Sequence, residues 1–243
     1  MRMRNPGCIF CRNGLSCEMK HIIQIAGIID AAEAQLLLDS GVDWLGFPLR
    51  LTVNAEDIND ADAAAIIANL PENRSGVLIT YLNTATEILE LCKTLHAKTV
   101  QIHGNIEFAE LRHLRKSAPD VFILKSLIVR GDNLSELENM TQTLAPLVDG
   151  FITDTHDPVT GADGATGKTH DWQISRKLVE ISPKPLMLAG GLTPENVFDA
   201  IRIVRPAAVD VHTGVEAEDG RKSAEKVATF VREARRGFAL FGG

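Results

Sequence analysis

"HIIQIAGIIDAAEAQLLLDSGVDWLGF", residues 21–47, contains the repeat unit of the whole chain. It opens with a short continuous apolar run (21–26). A segment with apolar residues at helical spacing follows, with Gly41 in the stop position. A second apolar run, "DWLGF", occupies 43–47. Continuous rather than alternating apolar runs are the mark of parallel strands covered on both faces. The pattern recurs to the end of the chain. Further strands are predicted at 76–81, 98–102, 121–126, 149–153, 185–190 and 207–211. Helices are predicted at 30–40, 59–70, 84–95, 106–116, 133–144, 172–181, 194–203 and 223–236, the seventh with Thr193 as cap and Pro194 in first position. Eight strands, each followed by a helix, predict an α/β fold of one domain, a closed (β/α)8 TIM barrel. The competitor, an open doubly wound sheet, normally carries a glycine-rich fingerprint after its first strand. Here that position reads "GIID", with a single glycine.

The barrel is expected to span 21–238, behind a cysteine-containing leader (1–20) and ahead of a short tail (239–243). Hydrophobic residues make up 45% of the 243 and charged residues 23%, as in ordinary globular proteins. A net charge of -7 with no basic cluster excludes a nucleic-acid surface. No run of about 18 apolar residues offers a membrane span. The N-terminus has positive charges but no apolar core of a signal peptide, so a cytoplasmic enzyme is expected. Oligomeric state stays open, because an exterior apolar helix face reads like core.

Cys8, Cys11 and Cys17 form C-x2-C-x5-C, candidate zinc or iron–sulfur ligands with His21 as a fourth. The spacing is not that of a standard finger and no second CxxC follows, so no metal is expected. The alternatives are reduced thiols in a disordered leader, or a start at Met19, since "MKHIIQIAGI" suits the beginning of a first strand. Cys92 reads as a packed helix residue.

Barrel enzymes place their chemistry at the C-terminal ends of strands and in the following loops. That selects Ala26, Gly27, Arg50, Tyr81, Gln101, His103, Lys125, Asp154, Gly190, Gly191, Asp210, His212, Thr213 and Gly214. Lys125 is an alternative amine nucleophile at a strand end. "GADGATGKTHDW" (161–172) ends like a nucleotide-binding loop, but the first glycine that motif requires falls on Ala162. The stretch belongs instead to an unusually long loop after strand six, expected to be a lid with Gly164 and Gly167 as flexible points.

"QIAGI", "VDWLGF", "VQIHG", "FITDT", "GATGKTHDW", "LAGGLTPENV" and "VDVHTGVE" occur in the order and spacing seen in phosphoribosylanthranilate isomerases of tryptophan biosynthesis. The chain resembles that family over about residues 21–236. The resemblance implies an aldose–ketose (Amadori-type) isomerisation of a phosphorylated sugar by general acid and base, without a cofactor. It implies Asp154 as general acid, Asp210 near the substrate amine, and a phosphate site made by Gly190, Gly191, Thr213 and Gly214. Arg50, Gln101, His103 and Asp210 are expected to contact substrate.

Two positions depart from the family. Its first strand reads K-I-C-G, with the cysteine as base; here Ala26 stands in that place, and alanine accepts no proton. Its P-K-S-P-R-Y segment, whose arginine grips the anthranilate carboxylate, is replaced by "PLRLTVNAEDI", leaving Arg50 displaced. Conversely, His212 stands where the family commonly has serine, and histidine is the natural base near neutral pH. The alternatives are a divergent isomerase, epimerase or lyase on a different phosphosugar, or a non-catalytic phosphometabolite-binding homologue.

Overall fold

A computed structural model describes residues 19–52, 55–131, 133–155 and 169–241. Its strands are β1 (Ile22–Ala26), β2 (Trp44–Leu49), β3 (Ser75–Thr80), β4 (Thr99–Ile102), β5 (Phe122–Val129), β6 (Gly150–Thr155), β7 (Leu186–Leu188) and β8 (Ala208–Val211). Helices follow in turn: α1 (Ala31–Asp39), α2 (Asp60–Ala68), α3 (Ala85–Leu95), α4 (Phe108–Ser117), α5 (Leu134–Leu144), α6 (Trp172–Ile181), α7 (Val197–Val204) and α8 (Ala224–Ala239). All pairings are parallel, and β1 pairs with both β2 and β8, closing the expected (β/α)8 barrel.

Two apolar layers account for the shape. Ile22, Ala26, Trp44, Val77, Ile79, Leu124, Ile152, Met187 and Ala208 fill the barrel interior. Ile23, Ile25, Leu45, Phe47, Leu78 and Phe151 face outward into the helix layer. Alternate residues of one strand thus enter different layers, and covering both faces is what makes the strands continuously apolar. Burying one such Leu, Ile or Phe side chain contributes about 1.5–3 kcal/mol. Met19 is buried at the floor of the interior layer, against Gly150. Cys92 is packed as expected, and burial pushes its thiol up to about 12. Cys8, Cys11 and Cys17 lie outside the described residues.

At the N-terminal face, two equivalent bolts lie four βα units apart. Arg235 of α8 donates to His21 O, Gly41 O and Asp43, and Asp43 Oδ2 accepts the Ile23 N–H at 2.9 Å. Arg115 of α4 donates to Val121 O, Leu147 O and Asp149, and Asp149 Oδ2 accepts the Ile123 N–H at 2.7 Å. Each arginine spans two chain turns and an ion pair, leaving the opposite face free for loops.

The seventh helix differs from expectation at its start. Thr193 is not its cap; α7 begins at Val197, behind a turn over 194–196. The Thr193 hydroxyl accepts from Glu195 N, while Asn196 accepts from Thr193 N and donates to Gly191 O at 2.9 Å. A loop-facing carbonyl thus takes the donor that a simple cap would have left to solvent.

Candidate active site

The C-terminal ends of β6, β7 and β8 converge on one small recess of about 50 Å³. Among its lining residues are Asp154, Gly190, Gly191, Asp210, His212, Thr213 and Gly214. These residues were singled out on separate segments of sequence, and closure of the sheet brings them together. A larger groove of about 450 Å³ runs between α1 and α2, on the outside of the barrel, and holds none of the predicted site residues.

The turn after β7 is held open by steric necessity. Gly190 has φ +93, in the left-handed region, and a Cβ there would stand 2.2 Å from Thr155 Oγ1. Asn196 braces the same turn through Gly191 O. Across the recess, a Cβ on Gly214 would stand 2.0 Å from Leu192 O, a main-chain atom that cannot swing aside. Gly214→Ala is therefore expected to lower stability by about 1–3 kcal/mol, the usual cost of overpacking. Chemical denaturation checks this; an unchanged midpoint would mean that the two loops are not in contact.

Asp154 occupies the last turn of β6 and is buried, with its Oδ1 accepting the Thr155 N–H at 2.7 Å. Asp210, on β8, is buried as well. Loss of hydration pushes its carboxyl up to about 7, against a hydrogen bond from Gln24 and the charge of Lys222. Its Oδ1 has no hydrogen-bond partner among the described residues. This Asp is thus poised between neutral and charged forms near neutral pH.

His212 stands over the end of β1. A Cβ on Gly27 would lie 2.0 Å from its Nε2, so the glycine after Ala26 is what admits the ring. Burial first, and then the Lys222 ammonium, drive its pKa down to about 3, so the imidazole is neutral at ordinary pH. Glu216 Oε1 lies 3.4 Å from Nε2 and also accepts from Lys222 Nζ at 2.7 Å. The Lys222 side chain is fully buried, and this carboxylate is its counter-charge. Glu216 and Lys222 were not singled out from sequence, where each reads as an ordinary surface charge.

Other predicted residues lie elsewhere. Gln101 accepts from Gln24 Nε2 at 3.1 Å inside the barrel. His103 is buried beside it, its Nδ1 3.1 Å from Ser126 Oγ and its ring 4.9 Å from that of Tyr81. Arg50 is turned to α2, where it pairs with Asp60 at 2.6 Å and with Glu56 at 3.4 Å. Lys125 is turned out of the barrel, and its Nζ donates to Ile102 O, Gly104 O and Ser126 O. Those carbonyls lie away from the recess at the barrel mouth, so the amine-nucleophile reading is set aside. Gly164 and Gly167 lie outside the described residues. Among the described residues, no cluster of three or more His, Cys, Asp or Glu side chains could hold a metal ion, and no helix is long and apolar enough to cross a membrane.

Residues 23–233 match the sequence model of the family described as N-(5'-phosphoribosyl)anthranilate (PRA) isomerase. N-(5'-phosphoribosyl)anthranilate isomerase 2 of Methanosarcina mazei is 36% identical over 217 residues, covering 89% of this chain and 95% of that protein. The corresponding isomerase of Halorubrum lacusprofundi is 33% identical, covering 90% and 98%. Among solved structures, the phosphoribosyl anthranilate isomerase of Thermotoga maritima superposes with a TM-score of 0.74 at 28% identity, covering 88% of this chain and 98% of that one. A phosphoribosyl anthranilate isomerase in complex with reduced 1-(o-carboxyphenylamino)-1-deoxyribulose 5-phosphate gives 0.73 at 25% identity, with the same coverage.

Proposed function

Because the chain belongs to the phosphoribosylanthranilate isomerase family, we propose that it isomerises a phosphoribosyl aminoaldose to the aminoketose with the residues of this recess. The carrying observation is that Asp154, Asp210 and His212 line the same recess as the glycine turns after β7 and β8. Main-chain N–H groups of Gly190, Gly191 and Gly214, with the Thr213 hydroxyl, suit a dianionic phosphate at the barrel mouth. Asp154 donates a proton to the ribose ring oxygen; the C1′–O bond opens and leaves a Schiff base. A base then takes the C2′ proton, and the resulting enolamine tautomerises to the ketone.

Ala26 leaves the base position of β1 empty-handed, and His212 supplies the group. Its ring stands over the residue next to Ala26 and is neutral, the form that accepts a proton. Burial that favours the neutral imidazole also weakens it as a base. A phosphate dianion bound in the same recess favours the imidazolium and restores basicity.

The test is turnover of phosphoribosylanthranilate by the purified full-length chain, followed by its loss of fluorescence. Turnover by the unaltered protein is expected, and Ala26→Cys is expected to retain or raise it. The second reading, a phosphosugar bearing another aglycone, is favoured by the diversion of Arg50 to Asp60 and Glu56. Absence of turnover in both proteins, with inorganic phosphate still binding, would favour that reading over the first.

A further inference from the structure

We propose that His170 is a positioning residue, which through Thr155 fixes Asp154 relative to the Gly190 turn; this rests on the reading of Asp154 as the acid. His170 Nδ1 lies 2.8 Å from Thr155 Oγ1, and its Nε2 lies 2.6 Å from Ser175 Oγ on α6. Ser175 in turn donates to Thr153 Oγ1 at 3.4 Å. Burial drives the His170 pKa down to about 4, so the ring is neutral at ordinary pH, one of its nitrogens donating and the other accepting in these two contacts.

The geometry gives this chain a purpose beyond packing. Thr153 and Thr155 flank Asp154 on β6 and point to the helix side, while Asp154 points to the recess. His170 therefore grips the strand on both sides of the proposed acid, directly at Thr155 and through Ser175 at Thr153. Thr155 touches the site twice. Its N–H donates to Asp154 Oδ1 at 2.7 Å, and its hydroxyl fills the space that a Cβ of Gly190 would need. Rotating Thr155 about its side chain would push on the Gly190 turn and loosen the strand end that carries the acid. A misplacement of about 1 Å between acid and bound phosphosugar costs on the order of 10²-fold in rate.

The experiment is steady-state kinetics of the full-length protein on phosphoribosylanthranilate. His170→Phe keeps a ring but no polar atom, and Thr155→Ala removes the hydroxyl while keeping its N–H. Each is expected to lower kcat about 10–100-fold with KM changed less than about threefold. The double variant is expected to be no worse than either single one, because both break one connection. His170→Asn, whose amide reaches the Nδ1 position, and Thr155→Ser are expected to recover most of kcat. A kcat for His170→Phe within about twofold of the parent, multiplying losses in the double variant, or a loss carried by KM alone would overturn the proposal. Should His170→Phe fail to fold, judged by its thermal melt, Thr155→Ala and Thr155→Ser carry the comparison. Asp154→Asn keeps the two readings apart: full activity there refutes the acid itself, whereas its inactivity beside an unaffected His170→Phe refutes only the positioning role.

Discussion

Asp154→Asn is expected to lower kcat by about 10²–10⁴-fold, the usual worth of a positioned general acid. The substitution is nearly isosteric. The amide oxygen still accepts the Thr155 N–H that now bonds Oδ1, so the end of β6 and the Gly190 turn keep their places. What disappears is the transferable proton. The proposed phosphate contacts involve other residues, and KM is expected to change little, which separates loss of chemistry from loss of binding. Steady-state assays beside a circular-dichroism spectrum give the answer. A folded variant whose kcat lies within about fivefold of the parent would mean that ring opening draws its proton from another group, with Asp210 next in line.

Replacing His212 by Gln is expected to cost a comparable 10²–10⁴-fold in kcat, and the pH profiles carry a further signature. In the ligand-free protein, burial and Lys222 hold the imidazole neutral down to about pH 3. The profile of kcat/KM, which reports the free protein, should therefore show no acid limb from this group between pH 5 and 8. The profile of kcat reports the complex, where the proposed phosphate dianion in the recess is expected to raise the histidine pKa. Its acid limb should lie at higher pH than that of kcat/KM and should vanish in the Gln variant. The stability linkage runs in the same sense. A depressed histidine pKa contributes stability in full above about 6.5, and the contribution is lost as pH falls towards 3. An imidazole signal in NMR that titrates at one pH with and without inorganic phosphate would refute the proposed coupling. So would unaltered kcat in the Gln variant.

These expectations draw on two kinds of legibility. The place of Asp154, Asp210 and the glycines of 190, 191 and 214 in the recess was legible because strand ends are marked by composition. His170 escaped notice because its partners, Thr155 and Ser175, belong to β6 and α6, on either side of a long loop. Glu216 and Lys222 escaped for a related reason. A lysine is taken to be solvated until a fold is seen to bury its ammonium beside a carboxylate. Arg50 shows the converse. Its place after β2 marked it as a substrate-binding candidate, but Asp60 and Glu56 at the start of the next helical unit are nearer at hand. Thr193 and Pro194 have the composition of a helix start, yet Asn196, by bonding Gly191 O, delays the helix to Val197.

By itself, the order of apolar runs determined the number of strands, their parallel sense and the closed barrel. Burial of both strand faces is a local demand that each segment must meet with its own residues. The tertiary structure alone decided which polar groups meet at the barrel mouth: His212 over Gly27, Lys222 on Glu216, His170 on Thr155. Hydrogen bonds act only over a few ångströms. Closure of the sheet brings His212 to Gly27 from the opposite end of the chain. Lys222 and His170 instead meet partners 6 and 15 residues away, once the chain folds back after β8 and α6 packs on β6.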